Sequence, residues 1–577
     1  MPRRRFILSW ILLLLIPWGA PWAFSAGMAW AYEVTGEENP LARLRGVLHY
    51  LTNPLRPALQ LASDGSIPYT DDPPFGVNTF LEQEVEPEKR ERTVRMIAEA
   101  GFRWIRQEFP WADIEIHRKG DFEDRRHIPY RSAWEKYDHI VDLAGRYGLR
   151  LIVRLTSPPA WSRHDGEARG AFAPPDNPED FADFAEVVAR RYRGRVFHYQ
   201  IWNEPNIAPE WGSCPTCAVD PEAYTDLLCR AYRRLKAVDP RIVVIAGALA
   251  PTLSLNPYPP NGINDVVFLE RMYRAGAGAC FDALSVQGYG LWSGPTDRRL
   301  RPYVININRA LYIRDVMVRH GDAHKPIYIA EMGWNAVPDE VGDKRFGQVT
   351  EEQKARYLVE AFERIRREWP WVAVANVWFF KRASDRERNQ SFYYFSIVEP
   401  DFTPLPAYEA LKAYLRQPPR MDPGAHTAAH WALRWEGPWS EAGSGHNDAV
   451  HLFGGQELHD SALLLRILVG QAEEDPIATG LGDHLDPLDH LRVEGVTEAG
   501  DHHAQRLGAT ALEGPGHRVR PIPQGLGDGP DPRPGLRVDL LAIPQRPGDR
   551  GMAHPRRPGD VLDRHAHGGA HVCENLA

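Results

Sequence analysis

Short apolar runs alternate with amphipathic segments from residue 71 to residue 416 of the 577-residue chain. Eight of these runs are almost continuously apolar, as expected for parallel strands that are covered on both faces. The predicted strands are residues 75–80, 102–109, 149–155, 197–202, 242–246, 283–287, 326–330 and 374–380. Eight strands interleaved with helical segments predict an α/β fold, a (β/α)8 TIM barrel spanning residues 71–416.

Helix signals lie between the predicted strands. Residues 134–144 carry apolar side chains at helical spacing. Asn177 and Asp220 are each followed by proline, which combines a capping residue with a first-turn proline. Residues 350–353 match a capping box. A doubly wound open sheet is the alternative, but the first predicted strand lacks the glycine-rich phosphate turn of that fold.

The N-terminal residues 1–32 differ from the rest of the chain. Arginines at positions 3–5 precede an apolar run over residues 6–16, and Ala29-Trp30-Ala31 resembles a cleavage site. This pattern predicts a secretory signal peptide, and an uncleaved membrane anchor is the alternative. We therefore expect a secreted or extracytoplasmic protein, with a membrane tether through this segment left open. Residues 33–70 are expected to form a linker or a strap on the barrel.

Residues 417–577 have an unusual composition. Three tryptophans near the start favour an accessory β-domain beginning within residues 417–445. Beyond them glycine, proline, histidine, arginine and aspartate dominate, and no lysine or tyrosine occurs. Such a composition buries little apolar surface per residue. A disordered, low-complexity tail and a frameshifted end of a GC-rich gene both fit, and we favour the frameshift.

Composition and charge restrict the class of protein. The net charge of −9 argues against a nucleic-acid binder, which would carry a basic patch. The chain has five cysteines, and Cys214 and Cys217 are spaced to close a small loop by a disulfide, although free thiols are the alternative. A zinc ribbon needs a second such pair, which the sequence lacks, so we predict no metal site.

Two glutamates stand where a barrel enzyme places its reactive groups, at the carboxyl ends of strands. Glu204 follows the fourth predicted strand and Glu331 follows the seventh. Glycoside hydrolysis needs one carboxyl that protonates the leaving oxygen and a second, on the other side of the sugar, that attacks or activates water. The pair therefore predicts a glycosidase that needs no cofactor. Either glutamate alone is equally well explained as a salt-bridge partner or a helix cap.

The motif Asn203-Glu204-Pro205, together with Glu331 on the seventh strand, resembles the clan A glycoside hydrolases. The resemblance covers residues 71–416 and implies a retaining mechanism with Glu204 as acid/base and Glu331 as nucleophile. It further implies roles for four side chains. These are Asn203 for the sugar 2-hydroxyl, Arg106 and Tyr289 for support of the nucleophile, and Trp378 for the floor of the first sugar subsite.

Within the clan the chain is most similar to family 39 and to family 5 and cellulase-like barrels. Many relatives have histidine where this chain has Gln287. Trp161 and Trp334, like Trp111, follow strand ends and are expected either to stack on sugar faces or to pack in the rim. Glu108 is expected to be a cleft or ion-pair residue. We predict hydrolysis of an extracellular poly- or oligosaccharide, and a catalytically silent carbohydrate-binding barrel is the alternative.

Overall fold

The computed structural model describes residues 24–62, 66–70, 74–213, 218–253 and 262–417. Several sequence predictions lie outside these residues. They are most of the signal or anchor segment, the Cys214–Cys217 disulfide, and the tail after residue 417.

Eight parallel strands close into a barrel, which confirms the predicted fold class. Around the barrel the order is β1, β2, β5, β6, β7, β8, β9 and β10, with β10 paired to β1. The barrel strands are β1 (Phe75–Thr79), β2 (Trp104–Pro110), β5 (Arg150–Thr156), β6 (His198–Asn203), β7 (Val243–Leu249), β8 (Ala283–Gln287), β9 (Ile327–Met332) and β10 (Val372–Val377). A short antiparallel pair that the sequence did not predict, β3 (Glu123–Asp124) and β4 (Arg131–Ser132), lies between the one-turn helix after β2 and the helix that begins at Glu135.

Helices surround the barrel and precede it. They are α1 (residues 24–35), α2 (Pro40–Leu51), α3 (Pro87–Ala100), α4 (Trp111–Ile114), α5 (Glu135–Arg146), α6 (Pro178–Arg191), α7 (Pro221–Val238), α8 (Asp265–Arg274), α9 (Arg309–Arg319), α10 (Glu351–Glu368) and α11 (Pro406–Leu415). The predicted caps are present, because Asn177, Asp220 and Thr350 each accept a backbone N–H of the helix that follows. Within the described ranges, no helix combines the length and the apolar content that a membrane crossing requires.

The barrel interior changes from apolar to polar along its axis. Trp104 and Ile152, near the amino ends of β2 and β5, pack among buried apolar side chains. Two residues further along each strand, on the same face, stand Arg106 and Arg154, both buried. Side chains on one face of a strand are two residues apart. The change from an apolar residue to arginine at the next inward position therefore places a charged layer directly above the apolar floor of the barrel, beneath its mouth.

A disulfide that the sequence did not predict joins Cys229 on α7 to Cys280 just before β8. The two residues are 51 positions apart and their Cα atoms lie 4.8 Å from one another. Pairing across neighbouring βα units depends on barrel closure, so spacing in the sequence gave no indication of it.

Candidate active site

Glu204 directly follows β6 and is completely buried. The backbone is left-handed on both sides of Asn203, with φ of 73° at Trp202 and 42° at Glu204. Non-glycine residues in this region cost about 1–3 kcal/mol each and persist where the surroundings hold them. The Glu204 N–H donates to Ala248 O at 2.8 Å, which fixes the turn to β7. The left-handed backbone at Trp202 and Glu204 therefore costs conformational free energy, and the surrounding contacts hold Glu204 in this orientation at the strand end.

Glu331 lies on β9 and is also completely buried. The register between β8 and β9 shifts just before the pair Gln287–Glu331, an irregularity that re-aims side chains at a barrel rim. Both carboxylate oxygens accept a hydrogen bond. Arg106 Nη1 donates to Oε1 at 2.9 Å, and the Tyr289 hydroxyl donates to Oε2 at 2.7 Å. A charged donor and a phenol therefore hold both oxygens of this carboxyl in place.

Arg106 is the centre of the network. Its guanidinium donates to Asn78 Oδ1 and to Asn203 Oδ1, each at 2.7 Å, and its Nε donates to Gln200 Oε1 at 2.8 Å. The planar fork thus fixes Glu331 relative to Asn203, the neighbour of Glu204. The structure places Arg106 and Tyr289 in contact with Glu331, and their support of a nucleophile stays a prediction.

Glu204 has a sparser environment. Gln287 Nε2 donates to its Oε1 at 2.7 Å, and its Oε2 has no hydrogen-bond partner among the described residues. Burial raises the pKa of Glu204 well above its usual range, and the negative charge of Glu331 raises it further. The bond from Gln287 and the charge of Arg106 lower it, but they do not outweigh burial. Glu204 is therefore the carboxyl of the pair that is prepared to keep a proton.

Gln287, the position where many relatives have histidine, contacts Glu204 directly. A neutral amide keeps its donor at every pH, whereas an imidazole would change charge beside the carboxyl. Gln287 thus gives Glu204 a hydrogen bond without adding a titrating group to the site.

Two buried donors at the site remain unused within the described part of the chain. They are Trp378 Nε1 and Asn203 Nδ2, although the Asn203 side chain lies close enough to Glu210 to lower the pKa of that carboxyl. Trp378 follows β10 and packs its ring against Phe80, with centroids 5.5 Å apart. An unpaired buried donor is costly unless a ligand or water uses it. Contact of Asn203 with a sugar 2-hydroxyl, and of Trp378 with the sugar as the floor of the first subsite, stay predictions.

A third buried carboxyl, Glu210, was missed by the sequence interpretation. It lies on the loop after β6, and its Oε1 accepts no hydrogen bond from the described residues. Burial raises its pKa to about 8; Arg154 acts in the opposite direction, and the charges of Glu108 and Glu331 add to the rise. A carboxylate six positions after Glu204, on a loop beginning at a strand end, was the available signal.

Glu108, at the end of β2, is an ion-pair residue, one of the two roles expected of it. It pairs with Arg154 and accepts hydrogen bonds from the hydroxyls of Thr156 and Ser157, at 2.6 and 2.7 Å. Although burial opposes the ionised form, these partners hold the pKa of Glu108 below its usual range. Glu108 is therefore a fixed negative charge beside the site.

The tryptophans expected at the rim differ in position. Trp334 has no exposed surface, donates from Nε1 to Ser293 O at 2.8 Å, and contacts Tyr357. Its indole fills the space that a Cβ on Gly290 would occupy. Trp111 is likewise buried and stacks on Phe184. Trp334 and Trp111 were expected either to stack on sugar faces or to pack in the rim, and in the structure both rings are packed.

Trp161 is half-buried and donates from Nε1 to Glu115 O at 2.8 Å. Its ring meets that of Trp111 edge-on, with the centroids 5.5 Å apart. Stacking of Trp161 on a sugar stays a prediction.

Comparison with known proteins gives similarity in structure only. No family model and no curated protein matches the chain. Solved structures that resemble it include a family 39 glycoside hydrolase from Bacteroides cellulosilyticus WH2, with 19% identity and a TM-score of 0.45 over 61% of this chain and 65% of that one. A monomeric β-xylosidase from Caulobacter crescentus CB15 has 16% identity and a TM-score of 0.41, over 61% and 69%.

An exo-β-1,4-mannosidase from Opitutaceae bacterium strain TAV5 has 15% identity and a TM-score of 0.40, over 64% of this chain and 63% of that one. The matched enzymes are named for different sugars, so they indicate no substrate for this chain. Barrels described as family 39 glycoside hydrolases are among the structures it resembles.

Proposed function

We propose that this chain is a retaining glycoside hydrolase with Glu204 as acid/base and Glu331 as nucleophile. The observation that carries the proposal is the unequal treatment of two completely buried carboxyls. Both oxygens of Glu331 accept hydrogen bonds, one of them from Arg106, whereas Glu204 keeps one oxygen unbonded and has a raised pKa. Paired carboxyls in contrasting environments are how acid and nucleophile are assigned in glycosidases.

In the first step Glu331 attacks the anomeric carbon while Glu204 gives its proton to the leaving oxygen. The C–O bond to the leaving group breaks, the glycosyl–Glu331 ester forms, and Glu204 becomes a carboxylate. Arg106 and Tyr289 hold the attacking carboxylate in place. Asn203 Nδ2, which lies beside Glu210, donates to the 2-hydroxyl of the bound sugar, a bond that strengthens in the transition state.

In the second step water attacks the anomeric carbon and breaks the ester bond to Glu331. Glu204, now ionised, takes the proton of that water and returns to its starting state. The raised pKa favours this return, because burial and the charge of Glu331 penalise a second negative charge at the site. No cofactor takes part in either step.

We further propose that the enzyme acts outside the cytoplasm on a poly- or oligosaccharide. Two features support this. The sequence of residues 1–32 has the pattern of an export signal. The Cys229–Cys280 disulfide is of a kind that forms and persists in oxidising compartments.

A covalent label tests the mechanism and excludes the silent carbohydrate-binding barrel. The chain is incubated with a panel of 2-deoxy-2-fluoro-glycosides that carry a good leaving group, and the intact mass is measured. We expect the mass of one fluoroglycosyl group to be added, with peptide mapping placing it on Glu331. Glu331→Gln should stay unlabelled, and Glu108→Gln serves as a control with the nucleophile intact. A label on another residue would overturn the assignment, and binding of sugars without turnover or label would support the silent barrel.

A further inference from the structure

Gln200 lies on β6, in the same strand that leads to Glu204, and its side chain is buried. Its amide makes two hydrogen bonds with partners of opposite kind. Oε1 accepts from Arg106 Nε at 2.8 Å, and Nε2 donates to Trp202 O at 2.7 Å. A guanidinium only donates and a carbonyl only accepts, so these partners allow one orientation of the amide. Gln200 thus connects the arginine that contacts Glu331 with the turn that carries Glu204.

The first of these bonds fixes one edge of Arg106. Nε and Nη2 of the guanidinium donate to Gln200 and Asn203, at 2.8 and 2.7 Å, and both acceptors belong to β6. Nη1 donates to Glu331 Oε1 at 2.9 Å. Because the guanidinium is planar and rigid, the edge held by β6 decides where Nη1 points. Without Gln200, Asn203 alone would hold that edge.

The second bond holds the turn before Glu204. Trp202 is left-handed, with φ of 73°, and a buried carbonyl in such a turn needs a donor. Gln200 Nε2 supplies this donor to Trp202 O. At the other end of the turn, the Glu204 N–H donates to Ala248 O. The turn is therefore held on one side by Gln200 and on the other by β7.

A second buried glutamine shows what a purely structural amide does in this barrel. Gln107, on β2, accepts from the Thr79 hydroxyl at 2.8 Å and from Leu81 N at 3.0 Å. It donates to Glu108 O at 2.8 Å. These bonds tie β2 to β1 and to the turn that follows β1. The two glutamines are alike in chemistry and burial, and they differ in what they hold.

We propose that Gln200 is a positioning residue for both carboxyls of the site, holding Arg106 toward Glu331 and the Trp202 turn in the orientation that carries Glu204. The proposal rests on the proposed glycosidase function. Gln200 acts through Arg106 and through the backbone, so its loss lowers the rate of the chemical steps and leaves sugar binding unchanged.

The rate of labelling by 2-deoxy-2-fluoro-glycosides tests the first bond, because it follows the attack of Glu331. Gln200→Met keeps the length of the side chain and removes both bonds, and Gln107→Met is the matched control. We expect the maximal labelling rate of Gln200→Met to fall at least about tenfold, with the half-saturating concentration within about threefold of the wild type. Gln107→Met should keep its maximal rate within about threefold, although it loses at least as many hydrogen bonds.

Recovery of the labelled protein tests the second bond. Once excess glycoside is removed, water releases the label with Glu204 as base. We expect this recovery to be at least about threefold slower in Gln200→Met and unchanged in Gln107→Met.

Gln200→Glu is a second variant, of the same size, that keeps an acceptor for Arg106 if Gln200→Met does not fold. Its carboxylate would give Arg106 a second ion pair and offers no donor to Trp202 O. We expect the maximal labelling rate to fall at least about threefold.

Three results would overturn the proposal. The first is a maximal labelling rate that neither Gln200 variant changes. The second is an equal fall in Gln200→Met and Gln107→Met, which would show a general loss of barrel packing. The third is a change confined to the half-saturating concentration, which would assign Gln200 to substrate binding.

NMR of protein with ¹⁵N-labelled arginine separates this inference from the proposed function, because it needs no substrate. The Arg106 Nε–H is identified as the signal that is lost in Arg106→Lys. We expect its hydrogen exchange to be at least about fivefold faster in Gln200→Met and unchanged in Gln107→Met. A wild type that no glycoside labels would refute the proposed function, while the exchange rates still show whether Gln200 holds Arg106. Unchanged exchange in Gln200→Met would overturn the inference even in a protein that takes the label.

Discussion

The surroundings of Glu331 and those of Glu204 differ, although the side chains are identical and both are fully buried. Each carboxylate oxygen of Glu331 accepts a hydrogen bond, one from Arg106 and one from Tyr289. Glu204 receives one bond from an amide, and burial and nearby negative charge raise its pKa. The difference shows how one barrel gives two buried carboxyls unequal hydrogen bonding: Glu331 accepts from a guanidinium and a phenol, whereas Glu204 accepts from one neutral amide.

Replacing Glu331, the carboxyl with both oxygens hydrogen-bonded, should have the largest effect on the catalytic rate. Glu331→Gln leaves the hydrogen-bonding shape but cannot form the glycosyl ester, so we expect kcat to fall on the order of 10⁴–10⁶-fold, as for other nucleophile losses. Steady-state rates on an aryl-glycoside that the wild type cleaves would measure it. A loss below about tenfold would show that another group attacks the anomeric carbon.

Removing the proton-holding carboxyl should have a smaller effect that depends on the leaving group. For Glu204→Gln we expect a loss of about 10²–10⁴-fold in the glycosylation rate of poor leaving groups, the usual range for general acid catalysis. Glycosides of acidic phenols need little protonation and should lose much less in that step. Pre-steady-state rates across a series of aryl-glycosides check this. Equal losses for every leaving group would contradict the role of acid.

Removing one of the two hydrogen bonds to Glu331 should lower kcat by less than replacing either glutamate. Tyr289→Phe removes the donor to Oε2 and leaves the bond from Arg106. A lost hydrogen bond to a buried charged group is worth about 1–3 kcal/mol, which converts to a fall in kcat of roughly 5–150-fold. KM should change little. A change confined to KM would instead assign Tyr289 to substrate binding.

Weakening the single bond to Glu204 should move a pH profile with only a modest effect on the maximal rate. The Gln287 amide lowers the pKa of Glu204, so Gln287→Leu should raise that pKa further. Because the acid is active when protonated, the alkaline limb of kcat/KM should move to higher pH. A shift to lower pH would show that Gln287 does not stabilise the charged form.

The smallest effect on catalysis is expected from replacing Glu210, which should instead change how the free energy of unfolding depends on pH. Its pKa of about 8 exceeds the ordinary value of 4.5. A carboxyl whose folded pKa is raised gives stability that is present below the unfolded pKa and is lost as pH rises through the folded pKa. Glu210→Gln should therefore lose less stability than the wild type between about pH 5 and 9, by roughly 1–3 kcal/mol. Thermal unfolding at both pH values measures it, and parallel losses in the two proteins would refute it.

Much of the barrel could be predicted from the sequence, because the spacing of apolar residues along the chain indicates local secondary structure. All eight predicted strands occur, with ends displaced by up to three residues. The positions of Glu204 and Glu331 followed, since barrel closure brings all strand ends to one rim. Helix α2 was missed, although leucines recur at helical spacing along it, because residues 33–70 were expected to form a linker or a strap.

The remaining features depend on contacts between distant segments. The Cys229–Cys280 pair and the burial of Trp334 under Tyr357 are set by tertiary packing, which spacing along the chain does not encode. Glu210 belongs to a loop whose path no repeating pattern fixes. The unequal hydrogen bonding of the two glutamates likewise needed the positions of Arg106 and Gln287.

The most direct measurement is infrared spectroscopy of the carboxyl groups near neutral pH, which needs no substrate. Spectra of protein with ¹³C-labelled glutamate are compared for the wild type, Glu204→Gln and Glu331→Gln. All carry Glu82→Gln and Glu210→Gln, because burial raises the pKa of Glu82 to about 7 and that of Glu210 to about 8, and either would add its own band. We expect a band of a protonated carboxyl that disappears in Glu204→Gln and persists in Glu331→Gln. A band that disappears in Glu331→Gln instead, or that is unaffected by Glu204→Gln, would contradict the assignment of acid and nucleophile.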